Sequence, residues 1–125
     1  MIKKGLIAGV VLLVVAFGFT WLNNLFPTLS AEYQNPAIFR PWEDPLMMAY
    51  FFYPFILGFV AYYLWGKVGK PKPFEFAKLY FWVATLPGMF VTYTTFQISL
   101  LMVVSWAVIG FIQAYIAALI FTKVK

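Results

Sequence analysis

Residues 79–122 read LYFWVATLPGMFVTYTTFQISLLMVVSWAVIGFIQAYIAALIFT, without one charged side chain. A bilayer core about 30 Å thick takes roughly 20 helical residues to cross. This run of 44 residues is therefore long enough for two crossings and a tight turn. Two further charge-free segments precede it, at 5–26 and 46–66. We therefore predict transmembrane helices at about 5–26, 46–66, 74–95 and 98–122.

The composition supports a membrane protein. Apolar residues make up 64% of the 125 residues, whereas a soluble domain usually contains about 45–50%. A soluble fold would have to bury four apolar helices on all sides, and the chain is too short for that. We predict an all-α, integral membrane four-helix bundle, with residues 1–125 forming a single transmembrane domain.

The lysines predict how the helices are oriented. They lie before the first predicted helix, around the inner loop 67–73 and after the fourth helix, at Lys3, Lys4, Lys67, Lys70, Lys72, Lys78, Lys123 and Lys125. The outer loop 27–45 instead carries Glu32, Glu43 and Asp44, with Arg40 as its only base. Because basic loops stay on the cytoplasmic side, both termini and the inner loop are predicted to be cytoplasmic.

The composition also argues against several kinds of site. With no cysteine and no histidine, the chain lacks thiolate ligands, the commonest metal ligand and the usual proton shuttle, so we expect neither a metal nor another cofactor. The net charge of +5 is explained by lysines at helix ends facing lipid headgroups, which makes nucleic-acid binding unexpected. The amino-terminal segment resembles a signal peptide, but Leu29 does not suit cleavage after Ala31. We expect a retained helix.

Small residues recur at helical spacing in three of the predicted helices. Such residues let neighbouring backbones approach closely, and a buried amide needs a partner. The residues predicted to pack between helices are Gly9, Ala16, Gly58, Gly110, Gln113, Ala114 and Ala118.

Two prolines lie at a similar depth in the second and third predicted helices. Each removes a backbone hydrogen bond and frees a carbonyl one turn earlier. Kinks there could splay the outer halves and open a cavity lined by Thr20, Asn23, Tyr50, Pro54, Thr85, Pro87 and Thr92. The alternative is two kinked helices whose freed carbonyls are satisfied by threonine hydroxyls or by neighbouring helices.

The outer loop carries a helix-start signal and a charge cluster. The Asp44 carboxylate can cap free amides, and Pro45 suits the first helical position. Arg40 is expected to form an ion pair with Glu43 or Asp44. Arg40 and Trp42 are the residues that we predict to contact a ligand or a partner if the outer loop recognises one.

The segment Asn35–Pro45, NPAIFRPWEDP, lies between the first predicted helix and an aromatic second helix. In this loop motif and in its topology the chain resembles small uncharacterised four-helix membrane proteins of bacteria and archaea. The resemblance implies a multi-pass protein of a prokaryotic cytoplasmic (inner) membrane and carries no activity over.

Ionisable residues are absent from the cores of the predicted helices, which argues against a proton-coupled pump. A passive channel formed by oligomerisation stays open, as does a lipid-directed activity of the outer loop. We expect a non-enzymatic protein that contacts membrane lipids and forms a homo-oligomer or joins a larger membrane-protein complex. Small size favours an assembly or accessory subunit, whereas the aromatic second helix favours binding or transport of a lipid or other apolar molecule in an outward-facing groove.

Overall fold

The computed structural model describes residues 2–41 and 43–124, and within these ranges its regular structure is entirely helical. This confirms the predicted all-α class. The α-helices are α1 (Ile2–Asn23), α2 (Pro27–Tyr33), α3 (Tyr53–Lys67), α4 (Pro73–Tyr80), α5 (Leu86–Thr95) and α6 (Leu100–Lys123). A 3₁₀ segment, Pro45–Phe52, runs into α3, and a π-helical segment, Phe81–Thr85, joins α4 to α5.

Three of the described helices are long and apolar enough to cross a membrane: Ile2–Asn23, Pro45–Lys67 and Leu100–Lys123. Their length and composition support the prediction of a membrane protein. The predicted third span, 74–95, is helical from Pro73 to Thr95 but is divided by the π segment and is not among these three.

The predicted outer loop contains a short helix. α2 is seven residues long and starts at Pro27. Proline at the first helical position costs no hydrogen bond, because that N–H has no intrahelical partner anyway. The predicted Asp44 cap is confirmed, since the Asp44 carboxylate accepts a hydrogen bond from the Leu46 N–H at 2.9 Å.

The two prolines are accommodated in opposite ways. Before Pro54 the helix is tightened, and the Tyr53 N–H donates to the Tyr50 carbonyl three residues back. Before Pro87 the helix is widened, and the Leu86 N–H donates to the Phe81 carbonyl five residues back. Both patterns follow from the proline ring, which clashes with the carbonyl four residues earlier and offers it no donor.

Glycines bring α1 and α3 into close contact. A Cβ built on Gly58 would lie 2.8 Å from the Gly5 carbonyl oxygen and 3.0 Å from the Gly9 nitrogen. The ring of Phe59 covers Gly5, and the ring of Phe55 covers Gly9. The two backbones touch because no side chain separates them.

The main core lies at the lysine end of the bundle. There α1, α3, α4 and α6 share one buried cluster, made of Ala8, Leu12, Leu57, Ala61, Trp65, Phe76, Ala77, Ala114, Ala117, Ala118 and Phe121. In contrast, α5 contributes no buried residue. The third helical segment is therefore well packed in its first half and open in its second half.

Candidate functional site

A groove of about 210 Å³ lies between the outer half of α1 and the start of the second helix. We call it the outer groove. Its lining is almost wholly apolar and consists of Leu13, Ala16, Phe17, Thr20, Tyr50, Phe51 and Pro54. The ring of Phe17 meets that of Phe51 at a centroid distance of 5.9 Å. An apolar molecule or chain segment is the kind of ligand that such a lining suits.

The outer groove exists where the close contact of α1 with α3 ends. Below it, Gly58 holds the two backbones together. Along its wall, Pro54 and the 3₁₀ segment present bulky rings, and Tyr50 stacks on Tyr53 at 6.4 Å between centroids. The rings keep the two helices apart, and the space between them is the groove.

Four of the predicted residues lie together in this groove: Ala16, Thr20, Tyr50 and Pro54. Ala16 was predicted to pack between helices, and it lines the groove instead. The Thr20 hydroxyl donates to the Ala16 carbonyl at 3.0 Å within α1. Thr20 therefore adds little polarity to the groove, because its hydrogen is already used.

The residues predicted on the third helical segment lie elsewhere. Thr85 is buried against α6, where its Oγ1 would be 3.3 Å from a Cβ on Gly110. Pro87 is exposed, and the Thr92 hydroxyl donates to the Gly88 carbonyl of its own helix at 2.7 Å. The prediction of one cavity shared by both prolines is wrong for this reason: α4 and α5 pack on α6, and Pro87 does not line the outer groove.

Arg40 forms the expected ion pair, with Asp44 at 3.1 Å. The Leu46 N–H and the Arg40 guanidinium hold the pKa of the Asp44 carboxyl below its usual value of 3.8. Both contacts are local to the exposed loop. Trp42, the other predicted contact residue of this loop, lies outside the described residues.

A second, smaller cluster forms an outer cap over the start of α6. Leu29, Ile98, Met102 and Val103 are buried there, and Phe39 and Trp106 meet edge to face at 6.1 Å. The Glu32 carboxylate fixes the cap to α6 by accepting from the Ser99 N–H at 2.8 Å and from the Ser99 hydroxyl at 2.7 Å.

Tyr33 is the centre of the outer cap. Its hydroxyl accepts a hydrogen bond from the Trp106 indole N–H. Burial raises the pKa of the Tyr33 hydroxyl above its usual 10.0, whereas the hydrogen bond with Trp106 acts in the opposite direction. Asn23, which was predicted to line the cavity, does not line the outer groove.

Sequence reasoning missed the roles of Glu32 and Tyr33. Ser99 directly before an apolar run is a recognisable helix-start signal, and its hydroxyl indeed caps Met102 at 3.1 Å. The sequence offers no signal that Glu32 reaches Ser99, because 67 residues separate them.

The other predicted packing residues lie along the helix contacts. Gly9 and Gly58 are at the contact of α1 with α3, while Ala114 and Ala118 belong to the main core. Gln113 is buried on α6, and Gly110 of the same helix lies beside Thr85.

Within residues 2–41 and 43–124, no group of three acidic, histidine or cysteine side chains is arranged to hold a metal ion. Comparison with protein-family models, with curated proteins and with solved structures found no match. The resemblance to small four-helix membrane proteins therefore stays a prediction, and any function has to be argued from the geometry.

Proposed function

We propose that the chain is a non-enzymatic four-span protein of a prokaryotic inner membrane, and that its outer groove binds one apolar chain, such as a lipid acyl chain. In this proposal both termini and the inner loop 67–73 face the cytoplasm. The observation that carries the binding function is the position of the groove. It is apolar, and it lies where Pro54 ends the close packing of α1 with the second helix.

Contacts at the two ends of α6 support the four-span topology. Ser99, at its start, is bound by Glu32 of the outer loop. At its other end, the Phe121 carbonyl accepts a hydrogen bond from the Lys4 ammonium at 2.9 Å. α6 therefore runs antiparallel to α1. The segment between the end of α3 and the start of α6 then has to run back along the length of the bundle.

The segment Pro73–Thr95 has the length for that return. At a rise of 1.5 Å per residue it is roughly 35 Å long, against a hydrocarbon core of about 30 Å. Its only charged residues, Glu75 and Lys78, lie in the first two turns and pair with each other at 3.2 Å. The π segment changes the hydrogen-bond pattern over Phe81–Thr85, and the chain is α-helical on both sides of it.

The binding proposal is tested by filling the groove. In Ala16→Phe a large ring enters the lining, whereas the matched control Val14→Phe adds the same ring at an exposed position of the same helix that does not line the groove. The probe is a phosphatidylcholine with a photoreactive group on its acyl chain. After illumination in reconstituted vesicles, the cross-linked residues are mapped by peptide mass spectrometry.

We expect cross-links at Thr20, Tyr50 or Phe51 in the wild type and in Val14→Phe, and at least about a fivefold loss at these residues in Ala16→Phe. An unchanged cross-linking pattern in Ala16→Phe would reject the groove as a binding site. Cross-links spread evenly over every exposed helix face would reject it as well, because the probe would then report only the surrounding bilayer.

A second function, that of an accessory subunit, is supported by α5. This helix buries no residue, and Gly88 within it has open space where a Cβ would lie. Gly88→Leu should therefore leave the monomer intact and block only a neighbouring protein. Gly18→Leu is the matched control, because Gly18 also has no neighbouring atom within 4 Å of its Cβ position.

Native mass spectrometry of the protein, gently extracted from its own membrane, distinguishes the two functions. An accessory subunit should be released together with a second protein or a second copy of this chain. Gly88→Leu should abolish this co-release, whereas Gly18→Leu should preserve it. Release as a monomer in both variants would reject this role on the α5 face.

A further inference from the structure

A second hollow, of about 290 Å³, lies at the lysine end of α3. We call it the lysine hollow. Two cations and three aromatic side chains surround it, and the lining residues are Tyr62, Tyr63, Trp65, Gly66, Lys67 and Lys70. It lies at the opposite end of α3 from Pro54, so it is separate from the outer groove.

Backbone hydrogen bonds hold the loop of the lysine hollow in shape. The Lys70 N–H donates to the Trp65 carbonyl at 2.9 Å and closes the end of α3. The chain turns there through Gly69 and Lys70, whose φ angles are 90° and 55°. A lysine in this left-handed region is uncommon, so the turn fixes where Lys70 leaves the backbone. The Trp65 indole N–H donates to the Pro71 carbonyl at 2.9 Å and ties the loop down.

The lysine hollow carries positive charge that no described carboxylate neutralises. Lys67 lies 5.4 Å from the centre of the Tyr63 ring. Among residues 2–41 and 43–124, the ion pairs are Arg40 with Asp44 and Lys78 with Glu75, so neither lysine of the hollow is in one. Gly66 leaves open space beside them, since nothing lies within 4 Å of its Cβ position.

An apolar stripe on α3 leads directly to these charges. Ile56, Val60 and Tyr63 are all exposed, and their spacing of four and three residues places them on one helix face that continues to Lys67. An anion that contacts both the two lysines and the apolar stripe carries a charged group at one end and a long apolar chain at the other. An amphiphile has this shape, whereas a free inorganic anion would use only the lysines.

We propose that the lysine hollow binds the phosphate-bearing headgroup of one anionic phospholipid, with an acyl chain lying along Ile56, Val60 and Tyr63. Juxtamembrane lysines attract anionic lipids, and interfacial aromatic rings rest at headgroup level. The volume is close to the lower limit of about 300 Å³ for small-molecule sites, which suits a headgroup entering from the side.

The experiment compares lipid binding to variants of equal charge. The test variant is Lys67→Gln with Lys70→Gln, and the control is Lys78→Gln with Lys123→Gln, which removes two lysines of the same end that do not line the hollow. Detergent-solubilised protein is titrated with phosphatidylglycerol or phosphatidylcholine. Native mass spectrometry measures the Kd of the first bound lipid, and circular dichroism confirms that each variant stays helical.

We expect the test variant to bind phosphatidylglycerol at least about tenfold more weakly than the wild type, and the control less than about threefold more weakly. Lys67→Arg with Lys70→Arg should restore binding, because the charges return. Phosphatidylcholine should bind the wild type no better than it binds the test variant.

Three results would overturn the proposal. Equal weakening in the test and control variants would mean diffuse attraction without a site. Phosphatidylcholine binding as tight as that of phosphatidylglycerol would remove the role of charge. Displacement of phosphatidylglycerol by inorganic phosphate alone would assign the hollow to a free anion. None of these results depends on the outer groove.

Discussion

Glu32 joins two parts of the chain that are far apart in sequence. Its carboxylate accepts both the N–H and the hydroxyl hydrogen of Ser99, while the Ser99 hydroxyl accepts from Met102 further into α6. The outer loop thus supplies part of the amino-terminal cap of α6. Caps of this kind stabilise helix starts because the first N–H groups have no intrahelical acceptor.

We predict that Glu32→Gln destabilises the protein by about 0.5–2 kcal/mol, because an amide NH2 group, which cannot accept a hydrogen bond, replaces one of the two carboxylate oxygens. The free energy of unfolding is measured by denaturant titration in detergent micelles. Glu43→Gln is the control, because it removes the same charge from an exposed residue of the same loop. Equal stability of the Glu32 and Glu43 variants would contradict the role of Glu32.

The pH dependence of the outer loop is predicted from Asp44. Because its pKa is lower in the folded protein than the usual 3.8, its contribution is fully present above about 3.8 and is lost as the pH falls through the lower folded value. Asp44→Asn should therefore melt below the wild type near neutral pH, and the difference should shrink in acid. The melting temperatures of both proteins across this range are the measurement. A difference that grows on acidification would contradict the predicted sign.

At the scale of the helix, the contact of α1 with α3 depends on Gly58. A methyl group there would meet backbone atoms of Gly5 and Gly9 at 2.8 and 3.0 Å. Backbone atoms cannot rotate away as the end of a side chain can, so the helices have to move apart.

We predict that Gly58→Ala costs about 1–3 kcal/mol of stability, the usual range for overpacking. Gly18→Ala makes the same chemical change in α1 with no atom within 4 Å, and it should be neutral or slightly stabilising. Unfolding in mixed detergent micelles compares the two variants. Equal stability would show that α1 and α3 adjust without loss.

At the scale of the whole molecule, contacts at both ends of α6 set its direction relative to α1. Its start is bound by Glu32 of the outer loop and its end by Lys4 near the start of α1. Lys4 also lies 5.9 and 5.7 Å from the centres of the Tyr62 and Trp65 rings, so it connects α1, α3 and α6 at one end of the bundle.

We predict that the two ends of the chain lie on the same side of the membrane. The sequence contains no cysteine, so single substitutions give a clean labelling experiment with a membrane-impermeant maleimide. Gln34→Cys should be labelled in intact cells, whereas Lys72→Cys and Lys123→Cys should be labelled only after the membrane is permeabilised. If Lys123→Cys is labelled in intact cells while Lys72→Cys is protected, the segment Pro73–Thr95 does not cross.

Local patterns predicted the features of this fold that depend on neighbouring residues. The apolar runs predicted long membrane helices, because chain length and hydrophobicity decide whether a helix suits a bilayer. The Asp44 cap and the ion pair of Arg40 were also predictable, since each involves residues at most four positions apart. The two prolines marked where the hydrogen bonding changes, although not that one site tightens and the other widens.

The sequence by itself determined that this chain forms apolar helices with its lysines at one end, because those properties depend on composition and on spacing along a single helix. Only the tertiary structure decided that Pro54 lines the outer groove and Pro87 does not. It also decided that Glu32 caps α6 and that Lys67 and Lys70 border one hollow. The physical reason is that helices with apolar residues on every face can pack around one another in several orders. The choice between these orders depends on close contacts such as Gly58 against α1, which link residues far apart in the chain.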